Sequence, residues 1–262
     1  MKICRVIFST NRIEYLTKTL FAQQNLNWQG CEVHSIFIDD YPKGRDDMFI
    51  TNMVRFFGYK EIYLHQENKG LSVTWSEFWN LIRNRDYDYI WHQEDDIEIL
   101  EPIKILDLIE LLNQDSKASQ VVLERQKWYP REEETRALDS DFIFKNYRYD
   151  RTSKLFSPMA SLYSIDKVRF SYSDWYQTLF PNSKLSKTNL NEGFIGNALV
   201  SEFGLCSIHL KNSLGNNIIN HIGEYFTGRR VLPNEPNYEQ FSCYDPNKRY
   251  DSKTGEDWVD NK

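Results

Sequence analysis

The chain has 262 residues, of which 40% are hydrophobic and 27% are charged, so it can form one large domain with a substantial core. Its net charge is −6 and it contains no long basic block, so nucleic-acid binding is not expected. It contains no apolar run of about 18 residues, and its first residues do not resemble a signal peptide. We therefore expect a cytoplasmic protein without a membrane span, whose four cysteines stay reduced.

The first hundred residues alternate between strand-like and helix-like patterns. Apolar runs predict buried strands over residues 3–8, 33–38, 61–65 and 88–93. Amphipathic spacing predicts helices over residues 14–24 and 46–57, and a third around residues 75–82. This alternation predicts an α/β fold with a mainly parallel, Rossmann-like sheet and helices on both of its faces.

The second half of the chain is less regular. Its patterns predict helices over residues 103–112 and 191–203, and strands over residues 120–123, 156–163 and 206–210. Residues 131–141 are charged and predict a loop. From residue 233 onward, Pro, Asn and charged residues dominate. We therefore expect a single domain over residues 1–232, followed by a polar tail over residues 233–262.

Polar residues follow each predicted strand of the first half. They are Thr10, Asn11 and Arg12 after the first strand, Asp39 and Asp40 after the second, Asn68 and Gly70 after the third, and Glu94, Asp95 and Asp96 after the fourth. Parallel strands all end at one edge of a sheet, where open α/β sheets bind ligands, so these groups are expected to converge on one cleft. Each shorter segment taken singly also fits an ordinary turn.

The three consecutive acids at residues 94–96 are the most informative of these groups. Like charges side by side repel one another, which costs stability unless a positive group lies among them. A divalent cation with oxygen ligands, Mg²⁺ or Mn²⁺, meets this need and brings substrate phosphates with it. The alternative is a solvated acidic turn, which the neighbouring polar segments make the weaker interpretation.

The order of these motifs resembles the nucleotide-sugar-dependent glycosyltransferases of the GT-A fold, close to family 2. The similarity covers roughly residues 3–232 and is best over 3–100, where Ser/Thr-Asn-Arg, Asp-Asp, Glu-Asn-x-Gly and Glu-Asp-Asp occur in that order. A late His-Ile-Gly followed by arginines completes the pattern. The resemblance implies that residues 1–100 bind a UDP- or GDP-sugar and that residues 101–232 bind a glycan or another hydroxyl acceptor.

The resemblance also implies roles for the residues around the donor. Asp39 or Asp40 would accept hydrogen bonds from the base, which leaves uracil and guanine both open. Asp95 would face the ribose or the sugar. The other residues expected to contact the nucleotide are Thr10, Asn11, Arg12, Asn68 and Gly70, with Arg229 and Arg230 on its phosphates.

A metal site of Glu94, Asp96 and His221 is implied by the same comparison. Glu94-Asp95-Asp96 stands where the family has its DxD motif, so the departure leaves open which two acids touch the metal. His221 occupies the place of a late histidine that reaches the metal or the diphosphate. A lone histidine is usually structural, but Gly223 and the following arginines favour the functional interpretation here. The cofactor would be Mn²⁺ or Mg²⁺, which stabilises the departing diphosphate.

An inverting transferase needs a carboxylate that takes the proton from the acceptor hydroxyl. Glu192 fits the family position best, at the start of the predicted helix over residues 191–203, and Asp174 is the second candidate. An acid in a first helical turn is also favoured by the helix dipole without any catalytic role. The aromatic residues expected to stack on an acceptor sugar are Trp128, Tyr129 and Trp175.

Two other functions fit parts of the sequence. A nucleotidyltransferase that makes sugar nucleotides has a Gly-rich phosphate loop after its first strand, whereas residues 9–14 contain no Gly. A non-catalytic nucleotide- or sugar-binding relative would need no intact acidic motif. The missing Gly counts against the nucleotidyltransferase, and the acids at residues 94–96, together with His221, argue against the non-catalytic relative.

Overall fold

The computed structural model describes residues 1–124, 138–152, 159–168, 203–222, 249–250 and 257–258. Four α-helices lie wholly within these ranges, α1 Ile13–Ala22, α2 Asp47–Phe56, α3 Leu71–Ile82 and α4 Ile105–Gln114, and residues 165–168 are also helical. The strands are β1 Lys2–Ser9, β2 Leu26–Asn27, β3 Glu32–Asp39, β4 Glu61–Leu64, β5 Tyr89–Glu94, β6 Ile97–Ile99, β7 Ile103–Lys104, β8 Ala118–Leu123, β9 Leu138–Phe144, β10 Tyr147–Thr152, β11 Ala160–Ser164, β12 Cys206–Asn212, β13 Ile219–His221, β14 Arg249–Tyr250 and β15 Asp257–Trp258.

Nine strands form the main sheet, in the order β4-β3-β1-β5-β11-β8-β12-β10-β9. β4, β3, β1 and β5 pair in parallel, as do β8 and β12. β11 lies antiparallel between β5 and β8, and β10 lies antiparallel between β12 and β9. Seven of the nine strands therefore share one direction. This confirms the predicted mainly parallel α/β sheet.

Helices cover both faces of the sheet, as the alternation predicts. Leu16 of α1 and Ile50 of α2 pack against Ile7 on one face, and α4 covers the same face farther along the sheet. Side chains alternate along a strand, so Phe8 points to the other face, where it packs against Trp75 and its neighbours on α3. The described helices thus pack on both faces of the sheet and leave its strand ends to the loops.

Local chemistry sets the ends of two helices. The side chain of Asp46 accepts a hydrogen bond from the Phe49 N–H at 2.9 Å and caps the start of α2. Gly58, at φ +86°, follows the end of α2 in a conformation that disfavours other residues. Gly70, at φ +83°, stands at the start of α3.

The second half departs from the sequence expectations in two places. The charged segment 131–141 was expected to be a loop, but β9 begins at Leu138 and pairs with β10, so that prediction is wrong for residues 138–141. Phe142 and Phe144, two positions apart, supply a strand pattern just after the charges. β14 and β15 pair with each other inside the predicted tail.

Three cysteines, Cys4, Cys31 and Cys206, are free thiols in this structure, and Cys243 lies outside the described residues. Burial raises the pKa of the Cys4 thiol, which keeps it protonated and unreactive at neutral pH. Among the helices that the structure describes, none is long and apolar enough to cross a membrane.

Candidate metal and nucleotide site

The predicted polar groups meet where the strand order reverses. From β1 the chain adds β3 and then β4 on one side, and it returns to place β5 on the other side of β1. Phe8 and Glu94 are register partners, so β1 and β5 end side by side. Open α/β sheets bind ligands at such a switch point, outside the carboxyl ends of the strands.

Asp95 is turned toward the loop that follows β1. Its Oδ2 accepts hydrogen bonds from the Ser9 hydroxyl and the Thr10 N–H, both at 3.0 Å, and its Oδ1 binds the guanidinium of Arg12. The Thr19 hydroxyl donates to the Asp95 carbonyl at 2.9 Å. Burial raises the pKa of this carboxyl in spite of Arg12. Asp95 joins the acidic turn to β1, and its contact with a donor ribose stays a prediction.

Asp96 is buried with one of its two carboxylate oxygens engaged. Its Oδ2 accepts a hydrogen bond from Arg12 Nη1 at 2.6 Å and lies 3.3 Å from His221 Nε2. Its Oδ1 is buried and has no hydrogen-bond partner among the described residues. Burial opposes the charged form, but Arg12 and His221 outweigh burial and hold the pKa of Asp96 well below its usual value. Asp96 is therefore an ionised, buried carboxylate with a free acceptor oxygen.

A short pair of strands brings His221 to this turn. β6 follows the acids directly, and β13 pairs with it so that His221 lies opposite Ile97. The Ile222 N–H donates to the Asp96 carbonyl at 2.9 Å, which fixes the register. Ile97, Ile99 and Ile219 are buried and hold the two strands against the core. The imidazole is 17% exposed, with its Nε2 toward Asp96.

Glu94, Asp96 and His221 offer three ligand atoms that all lie within 4.8 Å of one another. Two ligands on opposite sides of Mg²⁺ stand about 4 Å apart, so a small adjustment lets one ion reach all three groups. Two carboxylates and an imidazole suit Mn²⁺ or Mg²⁺. The unpartnered Oδ1 of Asp96 is the kind of buried atom that a cation would satisfy. The residues present therefore fit a divalent metal.

The two acids at the end of β3, Asp39 and Asp40, differ in burial and in hydrogen-bond partners. Asp39 is fully buried, and its Oδ1 accepts from Tyr41 N–H and from Arg45 Nη1 at 2.8 Å, while its Oδ2 accepts from the Asn11 N–H at 2.7 Å. Burial raises the pKa of Asp39, against the hydrogen bonds it receives. Asp40 remains 5% exposed, and which of the two acids receives the base stays a prediction.

Asp40 organises the loop before α3. Its Oδ2 accepts from the Gly70 N–H at 2.6 Å, and its Oδ1 accepts from the Lys69 N–H at 3.0 Å and contacts His65 Nδ1 at 2.8 Å. Asn68 is half-buried beside this loop. Asn11 adopts φ +58°, and its side-chain amide donates to the Lys43 carbonyl at 3.1 Å. The contacts thus bring Asn11 to Asp39 and Gly70 to Asp40 at the ends of β1 and β3, and their role toward a nucleotide stays a prediction.

Several predicted residues lie outside the described part of the chain. They are the catalytic candidates Glu192 and Asp174, the phosphate candidates Arg229 and Arg230, and the acceptor candidates Trp128, Tyr129 and Trp175. Their roles stay predictions.

Sequence reasoning missed the contacts of Ser9 and Thr19 with Asp95, and it missed the buried acid Glu124. The sequence placed Ser9 in the motif after the first strand but gave no signal that its hydroxyl or that of Thr19 binds Asp95. Glu124 follows β8, which runs in the same direction as β5, and its carboxylate is 2% exposed and 3.6 Å from Lys211 Nζ. The acid at the end of the apolar run Val121–Leu123 was the available signal for Glu124.

Comparisons with known proteins identify the fold. No protein-family model matches the chain, and no curated protein sequence matches it. The structure of S. aureus TarS 1-349 superimposes with a TM-score of 0.54 at 10% identity, over 86% of this chain and 61% of that one. TarS 1-349 in complex with UDP gives a TM-score of 0.55 at 11% identity, over 84% and 60% of the two chains.

GalNAc-T7 with UDP, GalNAc and Mn²⁺ gives a TM-score of 0.54 at 10% identity, over 84% of this chain and 43% of that one. The chain thus spans less than two thirds of each of these proteins. At such low identity the likeness establishes the architecture, and it confirms the resemblance read from the strand-end motifs. The chain has the fold of the GT-A glycosyltransferases.

Proposed function

We propose that this protein is a metal-dependent glycosyltransferase that moves a sugar from a UDP- or GDP-sugar to a hydroxyl acceptor with inversion at the anomeric carbon. The observation that supports this most strongly is the convergence of Glu94, Asp96 and His221 at the switch point of a GT-A sheet. TarS and GalNAc-T7, which share the fold, have both been crystallised with UDP, and GalNAc-T7 also with Mn²⁺.

The residues of the acidic turn would hold the donor diphosphate through a cation. Glu94, Asp96 and His221 would hold Mn²⁺ or Mg²⁺, which neutralises charge on the departing diphosphate when it is bound. Asp95 stays engaged with Ser9 and Thr10 and keeps the turn in place while the charge moves. Preorganised charges of this kind lower the barrier because they need no rearrangement during the reaction.

The base of the donor would lie at the other end of the cleft. Asp40 is fixed by the Gly70 and Lys69 N–H groups and by His65, and its Oδ2 accepts a single hydrogen bond among the described residues. A carboxylate oxygen has room for a second donor, such as the imide N–H of uracil or the N1–H of guanine. Arg229 and Arg230 would bind the phosphates of the donor.

Proton removal from the acceptor belongs to Glu192 in this proposal, with Asp174 as the second candidate. The carboxylate would take the proton from the acceptor hydroxyl as that oxygen attacks the anomeric carbon. Trp128, Tyr129 and Trp175 would stack on the acceptor ring. An in-line attack of this kind inverts the anomeric configuration, which the configuration of the product reports directly.

Thermal unfolding with nucleotides tests the donor site. UDP, GDP, CDP and ADP are each added with and without Mn²⁺ to the wild type and to Asp96→Asn. A ligand at a hundredfold excess over its Kd adds about 2.7 kcal/mol to the native state, which raises the midpoint by about 5 °C or more. We expect one nucleotide to do so, with a requirement for Mn²⁺ that Asp96→Asn removes.

Two outcomes would change the assignment. If no nucleotide stabilises the folded wild type, the proposed donor site is wrong. If one nucleotide binds with Mn²⁺ but its sugar conjugates are neither transferred nor hydrolysed, the protein is instead a non-catalytic relative that binds nucleotide sugars. Release of the free nucleoside diphosphate from the matching sugar donor would support the transferase.

A further inference from the structure

Arg12 lies between the two buried acids of the turn. Its Nη1 donates to Asp96 Oδ2 at 2.6 Å, and its Nη2 donates to Asp95 Oδ1. The guanidinium carbon is 5.5 Å from the centre of the Tyr15 ring, within the range of a cation–π contact. The side chain is 25% exposed, and its buried Nε has no hydrogen-bond partner among the described residues. One guanidinium thus bridges two neighbouring carboxylates.

The position of Arg12 follows from the start of α1. The Leu16 N–H donates to the Arg12 carbonyl at 2.8 Å, so Arg12 is the residue from which the helix departs. Its backbone is fixed at the mouth of the cleft, and the side chain reaches the acids that follow β5. Two adjacent buried carboxylates without a counter-charge would be strongly destabilising, and Arg12 supplies that charge from within the chain.

The carboxylate that Arg12 holds belongs to the candidate metal site. Asp96 Oδ2 accepts from Arg12 Nη1 and also faces His221 Nε2 at 3.3 Å, and Asp96 and His221 are two of the three clustered ligands. A divalent cation among these groups would stand a few ångströms from the guanidinium. Two positive charges at that separation repel strongly in a site of low polarity.

We propose that Arg12 competes with the divalent metal for Asp96, so that it holds the acidic turn in place without metal and weakens metal binding until a donor diphosphate is present. This inference rests on the proposed metal site. It makes Arg12 a positioning residue of the turn, in place of the nucleotide contact that the family resemblance implies. The diphosphate adds negative charge beside the metal ion and the guanidinium of Arg12, and this charge offsets the repulsion between them.

The competition predicts opposite effects of removing Arg12 on stability and on metal affinity. Without metal, Arg12→Gln leaves Asp95 and Asp96 without their counter-charge, so the thermal midpoint falls. With Mn²⁺, the same variant has lost the competing cation, so it binds the metal more tightly. A residue that only supported the structure would give the reverse, because a disordered turn holds metal less well.

The test is a titration of wild type and Arg12→Gln with Mn²⁺ without nucleotide, followed by the electron paramagnetic resonance signal of free Mn²⁺. We expect the variant to bind at least about tenfold more tightly, the factor that one lost hydrogen bond to a charged group represents. With UDP or GDP present, whichever stabilises the wild type, the difference should shrink to less than about threefold because the diphosphate offsets the charge of Arg12.

Arg85→Gln is the matched control. Arg85 also binds a carboxylate through two nitrogens, at 2.7 and 3.0 Å from Glu61, but Glu61 begins β4 at the opposite edge of the sheet. Its substitution should leave Mn²⁺ affinity unchanged. Arg12→Lys keeps the charge without the bidentate geometry and should have a Mn²⁺ affinity between those of the wild type and Arg12→Gln. This variant replaces Arg12→Gln in the test if Arg12→Gln does not fold.

Three results are distinguishable. Tighter Mn²⁺ binding in Arg12→Gln, with Arg85→Gln unchanged, supports the competition. Equal or weaker binding in folded Arg12→Gln refutes it and leaves the proposed metal site standing. If neither the wild type nor any variant binds Mn²⁺ with or without nucleotide, the metal site itself is wrong and the role of Arg12 falls with it.

Discussion

His92 gives a quantitative test of how the sheet is packed beneath the site. The imidazole is 1% exposed, and its ring centre lies 4.8 Å from those of both Phe8 and Trp75. Its Nε2 has no hydrogen-bond partner among the described residues. Burial lowers the pKa of His92 to about 3, because a charged imidazolium cannot be solvated there. The native state therefore holds this residue neutral at pH 5 and above.

The sign of the resulting pH dependence follows from proton binding. Between the unfolded pKa of about 6.5 and the folded value of about 3, the unfolded chain binds a proton at His92 and the native state does not. Stability from this group is fully present above pH 6.5 and falls as the pH drops. The loss is about 1.4 kcal/mol per pH unit, so lowering the pH from 7 to 5 removes about 2 kcal/mol.

Urea unfolding of wild type and His92→Phe at pH 7 and pH 5 measures this loss. The difference in the free energy of unfolding between the two proteins should shift by about 2 kcal/mol in favour of the variant at pH 5. Ile90→Val, on the same face of β5, should cost about 1 kcal/mol at both pH values. Equal pH dependence in wild type and His92→Phe would show that the imidazole is hydrated or protonated in the native state.

Two further substitutions test contacts beside the cleft, both by urea unfolding at pH 7. Arg45→Met removes a side chain that is 1% exposed and leaves buried Asp39 without a counter-ion, so it should lower the free energy of unfolding by about 3–5 kcal/mol. Arg85→Met breaks a partly exposed pair with Glu61 and should lower it by about 1 kcal/mol or less. Similar costs would contradict the buried pair. Gln93→Leu removes the hydrogen-bond partner of Gln23, Trp91 and the Ile97 carbonyl. It should lower the free energy of unfolding by about 3 kcal/mol or more, and a loss below about 1 kcal/mol would contradict that network.

The sequence predicts the parallel half of the sheet well because each strand there is an apolar run that ends at polar residues. Ile3–Phe8 and Tyr89–Gln93 pack on both faces, so their composition alone distinguishes them from loops. The same runs locate the acids of residues 94–96 at the carboxyl edge. Element type, strand direction and the place of the cleft therefore follow from local patterns.

Contacts between distant segments could not be predicted in this way. β6 and β13 have three residues each and pair across about 120 positions, too short and too far apart for any periodicity to reveal. His221 was identified through family resemblance, and the pairing explains why it reaches Asp96. Arg12 and Asp96 are 84 positions apart, so nothing local indicates that the arginine belongs to the acids.

The availability of each acid was equally unreadable from the sequence. Asp39 and Asp40 are neighbours of the same residue type, yet their partners differ. Asp39 accepts hydrogen bonds from Arg45 and from the Asn11 N–H, whereas Asp40 accepts them from the Lys69 and Gly70 N–H groups of the loop before α3. Burial and partners decide the role, and both depend on segments that fold onto β3 from elsewhere. The same holds for Asp95 and Asp96, which point in different directions from one turn.

The central claim is that Glu94, Asp96 and His221 bind one divalent cation together with a nucleoside diphosphate. Crystals grown with Mn²⁺ and the stabilising nucleotide, measured at the manganese absorption edge, test it most directly. The account predicts one anomalous peak within about 2.0–2.4 Å of an oxygen of Asp96 and of His221 Nε2, in contact with both phosphates. A bound nucleotide without a peak at these residues, or with a peak elsewhere, would contradict it.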